Sequence, residues 1–313
     1  MSRKLKVGCA QLGAINVADS RESVVKRLVG LLREAAASGC KLVVFPELAL
    51  TTFFPRYLYE TQPEIDAWFE ASMPNDATQI LFDEAKRLGV GFYLGYAELC
   101  EEQGVVHHYN TAILVDANAD IIGKYRKVHL PGHKEPIAGA PFHHLEKRYF
   151  EPGDLGFPVW RGFDTILGMC ICNDRRWPET YRVMGLQGVE MVLLGYNTPV
   201  QNIDQRPEPQ YIKSFHNHLS MQAGAYQNAS WVIGAAKAGF EDGHELMGGS
   251  CIIAPTGEIV ALATSLEDEL VMHSCDLELG RYLKETTFNF GRHRRVEHYG
   301  LITSQTGAVP PPE

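Results

Sequence analysis

No apolar run in the 313-residue chain approaches the roughly 20 residues that a membrane span requires. Basic residues are in deficit: 29 Lys and Arg stand against 38 Asp and Glu, a net charge of −9. An acidic chain without a basic cluster is not expected to bind nucleic acid or an anionic membrane. Cysteine is sparse, with an odd number, seven, at scattered positions. That usage fits reduced thiols in a cytoplasmic protein, not a disulfide framework. The segment Met1-Ser2-Arg3-Lys4-Leu5-Lys6 has charge but no apolar stretch behind it, so it does not read as a signal peptide. There is no internal repeat, no linker and no low-complexity tract. One domain is therefore expected over residues 1–303, with 304–313 as a flexible tail ending in Pro310-Pro311-Pro312.

What is present is an alternation of short apolar runs and helical patterns. Val7–Leu12, Leu42–Phe45 and Gly91–Leu99 read as buried strands. A helix begins near Asp19, with Glu22 in a capping box and Gly39 at its end; a second runs to Gly89. Three hairpins are predicted: Thr111–Val115 with Ile121–Val128, one turning at Gly162-Phe163-Asp164, and Cys251–Ala254 with Ile259–Ala263. Between them lie a short helix opened by Pro178, a strand at Val189–Leu194, a helix at Tyr211–Gln227 and a strand at Trp231–Ala235. Hairpins mixed with βα units argue for an α/β layered protein with mixed sheets.

Cys172 ends an apolar strand and is followed at once by Asn173-Asp174-Arg175-Arg176 and a helix start at Pro178. A thiol there meets outward-pointing backbone amides and two arginines, which favour the thiolate and suit a nucleophile. A buried structural cysteine is the alternative, and Cys170 fits it. A zinc site using Cys170, Cys172 and histidines among His129, His133, His143 and His144 is a third reading. It lacks a Cys-x-x-Cys pair or a His-Glu-x-x-His, so no metal and no cofactor are expected. Glu47 directly follows a buried strand, and Lys127 ends a hairpin strand; taken singly, each also reads as a loop charge.

Three segments together, Phe45-Pro46-Glu47, Tyr125-Arg126-Lys127-Val128-His129-Leu130 and Cys172-Asn173-Asp174-Arg175-Arg176-Trp177-Pro178-Glu179, resemble the nitrilase superfamily of carbon-nitrogen hydrolases. The resemblance runs from near residue 5 to near 300. Glu47-Leu48-Ala49-Leu50-Thr51-Thr52-Phe53-Phe54-Pro55-Arg56, Leu130-Pro131-Gly132-His133-Lys134-Glu135 and His144-Leu145-Glu146-Lys147-Arg148-Tyr149-Phe150-Glu151-Pro152-Gly153 are similar, more narrowly, to the N-carbamoyl-D-amino acid amidohydrolases.

The resemblance implies a four-layer αββα sandwich with two mixed central sheets, and a metal-free Glu-Lys-Cys triad. Cys172 becomes the nucleophile, Glu47 the base, and Lys127 the oxyanion partner with the backbone N–H of Asn173. Losing one such donor typically costs about 3–4 kcal/mol of barrier. Glu146 matches a second glutamate that holds Lys127 or the substrate nitrogen. The small-molecule substrate is an N-carbamoyl amino acid, whose carboxylate is expected on Arg175 and Arg176 through bidentate guanidinium contacts. A salt bridge to Asp174 or Glu179 is the structural alternative for those arginines. His129 and His144 are expected near the pocket, unless they are satisfied core histidines. Asn197 and Thr198, at another strand end, are candidates for the substrate carboxylate or ureido group. A homodimer or homotetramer is implied. Another superfamily amidase (a β-ureidopropionase, an aliphatic amidase or a nitrilase) and a non-catalytic binding protein on the same fold remain the alternatives. An exposed thiolate would also be easily oxidised by peroxide.

Overall fold

A computed structural model describes residues 2–140, 142–201 and 209–312. Strand β1 (Lys4–Gln11) leads into helix α1 (Arg21–Ala37) and β2 (Leu42–Val44). Ser20, one residue beyond the predicted cap, accepts the Ser23 N–H on its side chain and closes the first turn of α1. The next helices are α2 (Gln62–Asp66) and α3 (Gln79–Leu88), and Gly89 ends α3 in the left-handed conformation. Strands β3 (Gly91–Glu102), β4 (Val105–Val115) and β5 (Ile121–Arg126) form a meander, followed by the single turn α4 (Glu146–Tyr149). The second half brings β6 (Val159–Gly162), β7 (Thr165–Ile171), α5 (Pro178–Leu186), β8 (Met191–Tyr196), α6 (Gln210–Asn228) and β9 (Trp231–Ala236). A small hairpin of β10 (Ala238–Glu241) and β11 (His244–Met247) precedes β12 (Cys251–Ile253), β13 (Ile259–Leu262) and β14 (Glu269–Asp276).

Two six-stranded sheets result, in the orders β14-β1-β2-β3-β4-β5 and β13-β12-β9-β8-β7-β6. Each is mixed: β1-β2-β3 and β7-β8-β9 run parallel, and the flanking strands are antiparallel. The parallel centres are buried on both faces, which is why their sequences read as unbroken apolar runs. Facing residues of the two sheets, such as Val44, Leu114, Met169 and Leu193, share one core. The Tyr93 hydroxyl crosses that core, donating to the Cys170 carbonyl at 3.1 Å and accepting the Gly195 N–H at 3.1 Å. Helices α1 and α3 cover the outer face of the first sheet through Leu28, Leu32, Leu81 and Phe82. Helices α5 and α6 cover the second through Tyr181, Met184, Met221 and Ala225. This is the four-layer αββα sandwich.

The structure adds elements that the sequence patterns did not give. Strand β4 begins at Val105, because Gln103 and Gly104 both take positive φ and turn β3 back on itself. Strand β14 pairs along the whole of β1, yet only Cys275 in it is buried. The hairpin β10–β11 closes over the loop after β2, where Glu241 accepts the Phe53 N–H. The short helix Gly300–Ser304 reaches into the expected tail, and residues 300–312 are exposed. Among the described residues, no helix is long and apolar enough to cross a membrane.

Candidate active site

Four strands, β2, β5, β7 and β8, release their chains at the same edge of the sandwich, at their carboxyl ends, where ligands of open α/β sheets commonly sit. Glu47 follows β2, Lys127 follows β5, Cys172 follows β7 and Asn197 follows β8. The Glu47 backbone threads between two glycines. A Cβ on Gly195 would lie 2.4 Å from the Glu47 nitrogen, and one on Gly95 would lie 2.8 Å from its Cα. Only glycine admits so close a passage.

Glu47 and Lys127 are wholly buried, and Glu146 joins them. Lys127 Nζ donates to Glu47 Oε1 at 2.6 Å and to Glu146 Oε2 at 2.5 Å. Glu47 Oε1 also accepts from Asn110 Nδ2 at 2.8 Å, and its Oε2 accepts the Asn197 N–H at 3.0 Å. Burial alone would lower the Lys127 pKa, but the Glu146 and Glu47 carboxylates outweigh it and hold the ammonium charged well above the usual lysine range. Burial likewise opposes ionisation of Glu146, and the Lys127 ammonium reverses this, holding its pKa below the usual value. His144 Nε2 lies 3.1 Å from the other oxygen of Glu146.

Cys172 adopts a φ of 47°, a left-handed turn that lifts its side chain off β7. Its Sγ donates to the Asn197 carbonyl at 3.4 Å. The thiol therefore shares Asn197 with Glu47: one backbone group of that residue meets the sulfur and the other meets the carboxylate. Burial and the nearby Glu47 carboxylate push the thiol up, to about 11, while Lys127 and Arg175 pull it down. The expected thiolate is thus corrected. The resting sulfur is protonated, buried and in need of a base.

Asp174 fixes this turn. Its Oδ2 accepts the Tyr125 hydroxyl at 2.7 Å and the Ile171 N–H at 3.0 Å, and its Oδ1 accepts the His129 N–H at 2.9 Å. The His129 ring turns the same way, with Nδ1 2.8 Å from Asp174 and its face stacked on Trp177. His129 therefore braces the turn and does not reach Glu47 or the cavity. Its carbonyl accepts from Asn173 Nδ2 at 3.1 Å.

A cavity of about 180 Å³ opens beside Cys172. Asn173, Asn197 and Thr198 line it with Cys172, and Arg176, Lys213, His144 and His216 supply its basic and imidazole side chains. Arg175 does not line it. That side chain is 1 % exposed and points into the protein, donating to the Cys172 carbonyl at 2.5 Å, Thr198 Oγ1 at 2.8 Å and Asn217 Oδ1 at 2.6 Å. The expected arginine pair is split: Arg176 faces the cavity and Arg175 lies behind the sulfur.

Sequence reasoning missed Asn110, Lys213, His216, the bracing role of Asp174 and a second buried ion cluster. In that cluster Lys237 Nζ donates to Glu241 Oε2 at 3.0 Å, and Arg56 Nη1 donates to the Glu241 carbonyl at 3.0 Å. Glu241 Oε1 accepts the Phe53 N–H at 2.6 Å, which ties the β10 hairpin to the loop that carries Glu47. A lysine and a glutamate four residues apart look like an exposed helical pair in a sequence, and nothing local marks them as buried. Among the described residues, no group of three or more His, Cys, Asp or Glu side chains is arranged to hold a metal.

An acid, an amine and a thiol converging at the strand ends can attack a carbonyl carbon and stabilise the oxyanion that forms. The carbon-nitrogen hydrolase family model matches residues 6–285, and the chain belongs to that family, within the nitrilase superfamily. It is 31 % identical to a nitrilase of Pyrococcus abyssi, over 86 % of this chain and 90 % of that protein. It is 30 % identical to the N-carbamoylputrescine amidase of Arabidopsis thaliana, over 97 % of each chain. A citrullinase of Francisella tularensis is 29 % identical, over 95 % of this chain and 98 % of its own. The crystal structure of a carbon-nitrogen hydrolase from Helicobacter pylori superposes with a TM-score of 0.81 at 24 % identity, covering 97 % of this chain and 99 % of that one. The protein is therefore a hydrolase of non-peptide carbon–nitrogen bonds.

Proposed function

We propose that the protein hydrolyses N-carbamoyl amino acids, of the D series, to the amino acid, ammonia and carbon dioxide. Glu47 takes the proton from Cys172, and the sulfur attacks the ureido carbonyl carbon. The charge that develops on the carbonyl oxygen is met by the Lys127 ammonium and the backbone N–H of Asn173. Protonated Glu47 returns its proton to the departing nitrogen, leaving a covalent carbamoyl- or thioester-type intermediate on Cys172. Glu47 then takes a proton from water, whose oxygen attacks the same carbon and displaces the sulfur; Cys172 recovers its proton from Glu47, and the carbamic acid released loses carbon dioxide to free the second nitrogen. Glu146 keeps Lys127 charged and fixed throughout.

The observation that carries the substrate class is the charge of the cavity wall. Arg176 and Lys213 stand in that wall, with His144 and His216 beside them. Such a basic lining suits a substrate with its own carboxylate. It does not suit the cationic amine of N-carbamoylputrescine, the substrate named for one relative. Citrulline, named for another, combines a ureido group with an amino-acid carboxylate. The D preference rests on the three amidohydrolase-like segments alone.

The test is a panel of paired D- and L-N-carbamoyl amino acids, N-carbamoylputrescine and simple amides without a carboxylate. Turnover of the D-carbamoyl acids well above the rest supports the proposal. Equal or better turnover of the neutral amides or the cationic amine removes it and leaves another superfamily amidase. The proposal includes a homodimer or homotetramer. It is supported by exposed Val183 and Leu186 on α5 and exposed Leu301 and Ile302 near the C-terminus, with light scattering as the check.

A further inference from the structure

Arg175 is one of the largest fully buried side chains in the protein. A guanidinium cannot shed its proton, so its charge must be compensated where it lies. Its partners are all neutral: the Cys172 carbonyl, Thr198 Oγ1, Asn217 Oδ1 and the ring of Tyr196, whose centroid is 4.4 Å away. Among the described residues none of them is a carboxylate. Cys170, Cys251, Tyr181 and His218 also lie within its field, and burial favours the neutral form of each; the remaining hydrogen-bonding contact is the sulfur, with Nη1 3.7 Å from Cys172 Sγ. Lys127, the other cation near the sulfur, is already matched by two carboxylates.

We infer that Arg175 is the built-in counter-ion of the Cys172 thiolate, held against the nucleophile from inside the protein, and not an anchor for a substrate carboxylate. This rests on the reading of Cys172 as nucleophile. When the proton passes from Sγ to Glu47, a negative charge leaves the carboxylate beside Lys127 and appears on the sulfur. The S–H electron pair stays on sulfur and forms the bond to the carbonyl carbon. The charge thus moves from one fixed cation to another, and neither has to reorganise. Neutral partners suit this role, because a permanent carboxylate on Arg175 would cancel the field that the thiolate needs.

The test uses the full-length protein and iodoacetamide, a neutral reagent without a carboxylate. The rate of Cys172 alkylation, assigned by peptide mapping, is followed from neutral to alkaline pH alongside kcat and KM, with circular dichroism reporting the fold. Arg175→Gln is expected to slow alkylation at neutral pH about tenfold or more, to move the titration up by about one pH unit or more, and to lower kcat in step while KM changes little. Asn217→Asp keeps Arg175 in place but gives it a permanent counter-ion, so it too is expected to slow alkylation, by roughly three- to tenfold. A merely structural Arg175 would be held at least as well by the carboxylate that Asn217→Asp introduces, and alkylation would then proceed at the wild-type rate. That outcome overturns the inference, as does an Arg175→Gln protein that raises KM and leaves alkylation unchanged. If Arg175→Gln does not fold, Asn217→Asp alone decides. Neither alkylation readout involves substrate, whereas the nucleophile reading itself fails separately, if Cys172→Ala retains turnover.

Discussion

Lys127 sits between two carboxylates with no access to water, so its removal and the removal of Cys172 should differ in kind. Lys127→Met strands two buried charges and is expected to cost about 3–5 kcal/mol of stability, along with activity. Cys172→Ala removes one small side chain and should leave the melting temperature within a few degrees; thermal unfolding of the two variants checks this. The ion cluster also sets a pH dependence. The folded-state pKa of Glu146 is depressed, so its stabilisation is present above the ordinary carboxylate value of about 4.3 and is lost as pH falls through the depressed one. The stability gap between wild type and Glu146→Gln, measured by urea titration, should therefore be full at neutral pH and shrink in acid. At this scale the three motifs make Glu47, Lys127 and Cys172 legible as candidates. The direction of Arg175 is not legible, because two adjacent arginines on a tight turn point opposite ways and only the packing of Asn217 and Tyr196 decides which goes inward. The state of the thiol is hidden for a related reason. Adjacent arginines suggest a thiolate, but burial and Glu47 dominate. Peroxide should accordingly inactivate slowly at neutral pH, not readily.

The elements are legible where burial is two-sided or turn chemistry is explicit. The parallel strands β1, β2, β8 and β9 read directly from their apolar runs, and the hairpin expected at Phe163-Asp164 is present, with both residues at positive φ. Strand β14 is not legible, because a half-exposed edge strand with His273 and Ser274 in it shows neither an apolar run nor a clean alternation. The start of β4 is hidden by a Gln103-Gly104 turn, which lacks the usual Asn or Asp signal. What no local pattern contains is the meeting of β2 with β8. Gly195→Ala should test it, since a methyl group there collides with the Glu47 backbone. The fold is expected to survive through small shifts, with kcat falling about 100-fold or more, as a displacement near 1 Å in a catalytic group can cost. Wild-type kcat in a folded Gly195→Ala protein would mean that the Glu47 position is not critical.

Across the whole molecule, a chain of net charge −9 places Arg176, Lys213, His144 and His216 in the lining of one cavity. That contrast is partly legible, because Arg176 is expected there, while Lys213 and His216 reach the cavity from α6 and belong to no recognisable motif. Arg176→Gln should raise KM for carboxylate-bearing substrates about tenfold or more, the worth of a charged hydrogen bond, and barely alter that of neutral amides. Everything converges on one sulfur forming a bond to the substrate carbonyl. The most direct measurement is intact-mass spectrometry of the protein quenched during turnover of an N-carbamoyl-D-amino acid, followed by peptide mapping. The account expects a single acyl-type adduct on Cys172, absent from Cys172→Ala, which should also be inactive. Turnover by a folded Cys172→Ala protein, or an adduct mapped to another residue, would contradict it.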